Sequence, residues 1–131
     1  MKRQNISSNT EWEPIVGYSR AVRIGNTVYV SGTTATDEKG TVVARGDVHR
    51  QTIKTIENIE KALQKAGAEL SDVVRTRIYV TDMSHWPDVA KAHGTYFGHI
   101  LPATSLVEVS RLIDEDMLVE IEAVAVLGEE M

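Results

Sequence analysis

Apolar residues on both faces of the predicted strands constrain the fold of this chain more than any other feature. Successive side chains of a strand point to opposite faces, so Val28 and Val30 lie on one side and Tyr29 on the other. The last predicted strand, over residues 118–127, is apolar on both sides in the same way. A sheet with two apolar faces usually has both of them covered. Since the pattern predicts only two helices, we expect a second copy of the chain to cover the other face.

Hydrophobic periodicity predicts an α+β domain in which two helices pack on one face of a mixed sheet. Asp47 is predicted to cap a helix that ends at Gly67, and Ser84 to cap a second helix. The apolar stripe of the second helix is predicted to be Trp86, Val89, His93 and Phe97. The remaining predicted elements are a hairpin over 16–24 and 27–31, a loop over 33–46 with a short strand at 41–44, and strands over 73–81, 105–110 and 118–127.

Composition indicates one globular domain over residues 1–131, because 42% of the residues are hydrophobic and no linker or repeat interrupts them. Residues 1–14 are predicted to form a loose N-terminal segment. No apolar run approaches the roughly 18 residues that a membrane span requires, and the start of the chain lacks the apolar stretch of a signal peptide. We therefore expect a cytoplasmic protein without a membrane partner.

Charge and cysteine content exclude several classes of function. The net charge of −5 argues against a nucleic-acid surface, because phosphate binding depends on basic patches. The chain has no cysteine, which excludes disulfides, thiolate zinc sites and thiol nucleophiles. Its four histidines do not show paired metal-ligand spacing, so we expect no metal.

Glu120 and Glu122 are the most informative polar residues, because they share a strand face with apolar neighbours. Burial of a carboxyl group disfavours its charged form and raises its pKa, which suits Glu120 to proton transfer. The alternative is an ion pair across a subunit interface, with Arg111 or Arg75 as the partner. Glu122 fits a structural role better than a catalytic one.

Other polar residues have both a functional and a structural interpretation. Ser31 and Gly32 end a strand, where a hydroxyl and backbone N–H groups could bind an anion or a water, or simply lead into a loop. Tyr18 and Thr104 could bond a ligand or go unused in a strand. His93 is either a satisfied core histidine or a ligand-binding one. The arginines that could anchor a carboxylate are Arg20, Arg23, Arg75 and Arg77.

An ordered set of short motifs resembles the RidA/YjgF family of reactive-intermediate deaminases, whose members are also described as endoribonuclease L-PSP-like. The resemblance covers roughly residues 16–127 in collinear order. The motifs are Gly17-Tyr18-Ser19, Val28-Tyr29-Val30-Ser31-Gly32, Gln51-Thr52 with Asn58-Ile59, Ala66-Gly67-Ala68, Pro102-Ala103, Val107-Glu108-Val109 with Arg111-Leu112, and Glu120-Ile121-Glu122-Ala123.

This resemblance implies a chorismate-mutase-like (bacillar) fold and a homotrimer whose sheets line the trimer core. It also implies small-molecule clefts between subunits, hydrolysis of 2-imino acids to 2-oxo acids and ammonia, and no cofactor. Glu120 matches the glutamate that positions water, while Ser31, Gly32 and Tyr18 match cleft residues. Thr104 stands where the family has an arginine that clamps the substrate carboxylate. The helix asparagine of typical members falls on Ala90.

Three functions follow from these expectations. The first is an imine or enamine hydrolase of altered specificity, with Glu120 and Ser31 as catalytic residues and with Tyr18, Gly32, Thr104, Ser105 and His93 as substrate-binding residues. In this interpretation Arg111 and Glu122 are structural or interface residues. The second is a non-catalytic regulatory trimer that binds a small molecule. The third is an endoribonuclease, which the acidic charge balance favours least.

Overall fold

The computed structural model describes residues 1–128, in which six strands and three α-helices are found. The strands form one mixed sheet in the order β1-β2-β3-β6-β4-β5, where only β4 and β5 are parallel. This confirms the predicted α+β class. The elements are β1 (Arg3–Ile6), α1 (Trp12–Val16), β2 (Ala21–Ile24), β3 (Thr27–Thr33), α2 (Val48–Lys65), β4 (Val73–Val80), α3 (Trp86–Phe97), β5 (Ala103–Glu108) and β6 (Val119–Val126).

Helix α2 has the two ends that its sequence predicts. The Asp47 carboxylate accepts the Arg50 backbone N–H at 3.0 Å, which satisfies one of the free donors of the first turn. At the other end Gly67 adopts φ = +86°, the left-handed conformation that glycine reaches without strain. The predicted helix over residues 47–67 is therefore confirmed.

A single hydrophobic core lies between α2, α3 and one face of the sheet. Residues 119, 121, 123 and 125 of β6 are at most 2% exposed, as the alternation of a strand requires. The helices contribute fully buried side chains, among them Ile56, Ile59, Leu63, Val89 and Phe97. None of the helices in residues 1–128 is long and apolar enough to cross a membrane.

The opposite face of the sheet is partly apolar and uncovered within one chain. Tyr29 is 53% exposed, and Val107 and Val126 are each 43% exposed. Glu120 and Glu122 point to this side of β6, as the alternation predicts. These exposed residues match the expectation of a two-sided apolar sheet, because the single chain covers only one side.

The N-terminal segment is more ordered than the sequence predicts. Residues 3–6 form β1, which pairs antiparallel with β2, and the Ile6 side chain is 6% exposed. Val16, expected to begin the hairpin, ends α1 instead, and Gly17 stops that helix with φ = +88°. The prediction of a loose segment over residues 1–14 is thus corrected, because β2 offers β1 an unpaired edge that local sequence cannot reveal.

Three further boundaries differ from the predictions. Asp82 caps the turn before α3 by accepting the Ser84 backbone N–H at 2.9 Å, and α3 begins at Trp86, which is 53% exposed. The strand predicted at 41–44 is reduced to one bridge between Thr36 and Val42, because a positive φ at residue 44 breaks the extended chain. Strand β5 begins at residue 103 because β4 supplies a parallel partner from there onward.

Candidate active site

One cleft of about 400 Å³ contains five of the residues proposed for a site. A register shift in β3 allows this: Val30 pairs with Ala123 and Thr33 with Ile121, so residues 31 and 32 both lie opposite residue 122. Such a bulge bends a strand and re-aims its side chains. The proposed residues in this cleft are Tyr18, Ser31, Gly32, Glu120 and Glu122, and Arg20 joins them.

The Glu120 carboxyl group lies directly against the backbone of Gly32. A Cβ atom at position 32 would be 2.5 Å from Oε2 and 2.9 Å from Cδ of Glu120. Non-bonded atoms attract at about 3.5–4.0 Å, so any side chain at this position would collide with the carboxyl group. Glycine at position 32 therefore allows the Glu120 carboxyl group to lie in this position, and any side chain there would displace it.

Burial raises the pKa of Glu120 above its ordinary 4.5. Attraction by the Arg20 guanidinium partly offsets this effect, and repulsion by the Glu122 carboxylate adds to it. No hydrogen bond from residues 1–128 engages the Glu120 carboxyl group. A carboxyl group with a raised pKa and unused lone pairs is suited to accepting a proton from a bound water.

Ser31 is already hydrogen-bonded in a way that limits its role. Its hydroxyl group donates to the Ser19 carbonyl oxygen at 2.7 Å, and its backbone N–H donates to the Arg20 carbonyl oxygen at 3.0 Å. The hydroxyl proton is therefore not available to polarise a substrate. Ser31 can accept a hydrogen bond through its lone pairs, and this corrects the expectation that it donates.

Glu122 is held by a neighbour in the same sheet, in keeping with a structural role. The Tyr79 hydroxyl group donates a hydrogen bond to its carboxylate, and this bond raises the pKa of Tyr79. Arg111 is exposed in the connection between β5 and β6, and it forms no ion pair with any residue in the part of the chain that the structure describes. An interface role for these two residues stays a prediction.

Thr104, Ser105 and His93 are not near Glu120 within one chain. Strand β5 lies at the sheet edge beyond β4, and Thr104 pairs with the buried Thr76, on the helix side of the sheet. Ser105 pairs with Arg77 and points to the other side. Within a single chain the candidate residues therefore form two separate groups, one around Glu120 and one around Thr104.

Thr104 belongs to a chain of hydrogen bonds. Its hydroxyl group lies 3.2 Å from the Pro102 carbonyl oxygen and 2.8 Å from the Thr76 hydroxyl oxygen, which in turn lies 2.9 Å from His93 Nε2. The single Thr104 proton is donated either to Pro102 or to Thr76, and in both arrangements it is engaged within the chain. Thr104 therefore presents a lone pair to its surroundings, where an arginine would present a cation.

His93 fits the interpretation of a satisfied core histidine. Burial lowers its pKa below 6.5, and its ring centroid lies 4.6 Å from that of Phe97. Its Nε2 atom lies 2.9 Å from the Thr76 hydroxyl oxygen, so this ring nitrogen has a hydrogen-bond partner. Its influence on a ligand would pass through Thr76 and Thr104.

Comparison with known proteins identifies the family. Residues 8–127 match the model of the family described as Endoribonuclease L-PSP. The chain belongs to this family. A crystal structure of a YjgF/YER057c/UK114 family member from Mycobacterium tuberculosis is similar to it, with a TM-score of 0.88, 51% identity, and coverage of 96% of this chain and 100% of that one. The predicted RidA/YjgF resemblance is confirmed.

Two curated relatives within this endoribonuclease L-PSP family are named as deaminases. The 3-aminoacrylate deaminase RutC of Acinetobacter baylyi is 37% identical over 112 residues, covering 86% of this chain and 88% of the relative. The 2-iminobutanoate/2-iminopropanoate deaminase of Mus musculus is 32% identical over 126 residues, covering 95% and 93%. The family thus includes enzymes named for enamine and imine substrates.

Arg20 and Gln51 have structural roles in this family member that the sequence analysis did not assign to them. Arg20 was one of four arginines that could anchor a carboxylate, and only the structure places it in the cleft. Gln51 is fully buried, donates to the Asp116 carbonyl oxygen and accepts the Leu118 backbone N–H, and so fixes the approach to β6. The sequence signal for the role of Gln51 is a glutamine placed on the apolar stripe of α2.

In residues 1–128 no cluster of side chains could hold a metal ion.

Proposed function

We propose that the chain is a hydrolase that converts a reactive imine or enamine metabolite to a carbonyl compound and ammonia. The observation that supports this most directly is the Glu120 carboxyl group, which faces the cleft without a hydrogen bond from residues 1–128 while burial raises its pKa. Relatives named 2-iminobutanoate/2-iminopropanoate deaminase and 3-aminoacrylate deaminase support the same chemistry.

The proposed reaction uses Glu120 as the base. A water bound between Glu120 and the lone pairs of Ser31 gives a proton to the Glu120 carboxylate as its oxygen bonds to the imine carbon. Glu120 returns this proton to the substrate nitrogen, which gives a carbinolamine. The hydroxyl proton of the carbinolamine then passes through Glu120 to the nitrogen, the carbon–nitrogen bond breaks as the carbonyl group forms, and ammonia leaves. A base whose pKa lies closer to the working pH is more effective in this exchange, which is the benefit of burying Glu120.

Thr104 is proposed to alter the specificity. A guanidinium group binds a carboxylate through two charge-assisted hydrogen bonds, whereas Thr104 offers one uncharged oxygen whose proton is already donated within the chain, to Pro102 or to Thr76. Position 104 therefore favours a substrate that presents a hydrogen-bond donor there over one that presents a carboxylate.

We further propose a homotrimer with ligand clefts between subunits, as the family resemblance implies. The uncovered sheet face supports association, because Tyr29 and Val126 are about half exposed there. Clefts between subunits would also bring Thr104 of one copy toward Glu120 of the next, which a single chain cannot do. The test is the mass in solution, expected to be three times 14.5 kDa; a monomer would contradict it.

The decisive assay measures the loss of freshly generated 2-iminopropanoate, 2-iminobutanoate and 3-aminoacrylate with purified protein. The parent is expected to accelerate loss of at least one imine or enamine, and Glu120→Gln to remove that acceleration. The control is Glu115→Gln, which changes an exposed glutamate in the connection between β5 and β6 and should leave the hydrolysis rate unchanged. A parent that accelerates none of them contradicts the hydrolase.

A non-catalytic binding module is the second candidate, because Ser31 and Thr104 both have their hydroxyl protons engaged within the chain. It predicts saturable binding of small carboxylates or their neutral analogues that Glu120→Gln leaves intact. The family description also names an endoribonuclease. That function would require RNA cleavage that persists through purification and weakens with salt.

A further inference from the structure

We infer that Arg20 is the anion-binding group of this cleft, and that it holds a substrate carboxylate on the Tyr18 side of the reacting carbon. The inference rests on the proposed function, since it concerns the substrate of the same site. It names the class of substrate as a small imine or enamine that carries a carboxylate bound away from position 104.

Arg20 is a buried cation that forms no ion pair within residues 1–128, although the Glu120 carboxylate attracts it from beyond ion-pair distance. The residue is 9% exposed, directly before β2. Over residues 1–128 no carboxylate oxygen lies within 4 Å of its guanidinium group. Its Nε atom is buried and has no hydrogen-bond partner. Burying an unpaired charge is costly, so a side chain kept in this state points to a partner that is not part of the chain.

The guanidinium group is fixed in place by two contacts with uncharged groups. Nη2 donates to the Gly32 carbonyl oxygen at 2.6 Å, and Cζ lies 5.5 Å from the centroid of the Tyr18 ring. A carbonyl dipole and an aromatic face orient a cation but carry no net charge. The N–H groups of Nη1 and Nη2 that remain match the two oxygens of a carboxylate.

These contacts assign the group to the cleft that contains Glu120. Arg20 also borders a second cleft of about 710 Å³ beside α2, but Tyr18 and Gly32 line only the smaller one. Arg75 also has a buried Nε without a partner, yet it lines neither cleft. Arg20 alone among the candidate anchors therefore combines burial, the absence of an ion pair within 4 Å in residues 1–128, and a place in the cleft of Glu120.

The test compares binding of 2-oxobutanoate and its neutral amide, 2-oxobutanamide, by calorimetric titration. The parent should prefer the carboxylate on the order of 10- to 100-fold, the usual effect of a charge-assisted hydrogen bond. Arg20→Gln should bring the two affinities close to equal, and Arg20→Lys should keep part of the preference. Arg50→Gln, which changes an exposed arginine on α2, is the matched control and should keep all of it.

A preference that survives in folded Arg20→Gln overturns the inference, as does a parent that binds both compounds equally. If Arg20→Gln does not fold, the inference is tested on the parent protein, by following the NMR signal of the Arg20 Nε–H while each compound is titrated. Carboxylate should shift that signal at saturation and the amide should not, and an unmoved signal overturns the inference. Failure of the proposed function would be a different result: the parent protein would bind the carboxylate in preference to the amide but would hydrolyse no imine.

Discussion

Replacing Gly32 by alanine tests whether the position of the Glu120 carboxyl group sets the rate of the proposed reaction. The new Cβ atom would lie 2.5 Å from Oε2 and 3.3 Å from Cγ of Glu120. The carboxyl group must retreat by roughly 1 Å before these atoms reach ordinary contact. A displacement of that size at a reacting group costs on the order of 100-fold in rate.

Stability should fall far less than activity. Overpacking by one methyl group costs about 1–3 kcal/mol, and here the colliding atoms belong to a side chain that can turn toward the open cleft. Gly32→Ala should therefore fold and lose most of its activity toward whichever imine the parent hydrolyses. The measurements are the hydrolysis rate and the free energy of unfolding in urea.

The matched control is Gly94→Ala on α3, where an added Cβ meets no atom within 4 Å outside its own helix. Alanine in a helix interior should raise stability by about 0.5–1 kcal/mol and leave the hydrolysis rate near that of the parent. The reasoning is refuted if folded Gly32→Ala retains activity within a few-fold of the parent, since the carboxyl group would then act equally well from a displaced position.

Three other substitutions test separate parts of the molecule. Thr104→Arg should leave kcat/KM for 2-iminopropanoate within a few-fold of the parent, because Arg20 already holds the carboxylate away from position 104. A gain of about 30-fold or more, which a restored charged pair contributing about 2–5 kcal/mol would give, would place the carboxylate at position 104 instead. Glu120→Gln should have a larger free energy of unfolding than the parent at pH 7. Burial raises the pKa of Glu120 in the folded parent above 4.5, so the parent loses stability as pH rises through that pKa, whereas the glutamine variant does not. Unfolding in urea should show that the stability difference between the two proteins disappears below pH 4.5, and a difference independent of pH would contradict this reasoning. Gln51→Leu should cost about 2–4 kcal/mol in urea unfolding, because the Asp116 carbonyl and the Leu118 N–H lose their partner; a loss below about 1 kcal/mol would contradict that role.

Local patterns in the sequence were sufficient for the elements with strong periodicity. Asp47 and Gly67 mark the ends of α2, because capping and left-handed glycine depend only on neighbouring residues. The alternation of β6 assigned Glu120 and Glu122 to one shared face for the same reason, and the structure shows that this face lies away from the helices. Strand β1 was missed, since its order comes from pairing with β2 and not from its own composition.

The candidate site was predictable in part. Glu120, Ser31, Gly32 and Tyr18 were identified from alternation and from the family motifs, and the structure places all four in one cleft. Their hydrogen-bond roles were not predictable, because the donor or acceptor state of Ser31 depends on where the Ser19 carbonyl oxygen lies. Backbone geometry of this kind has no signal in residue type.

The sequence by itself determined the family, the α+β class and the identity of the carboxylate that faces the cleft, because each of these depends on periodicity or on ordered motifs. Only the tertiary structure decided which residues meet. The bulge in β3 places Gly32 against Glu120, folding buries Arg20 with an Nε atom that has no hydrogen-bond partner, and the sheet order separates Thr104 from the cleft. Contacts between residues that are distant in the chain arise from packing, and no local pattern specifies them.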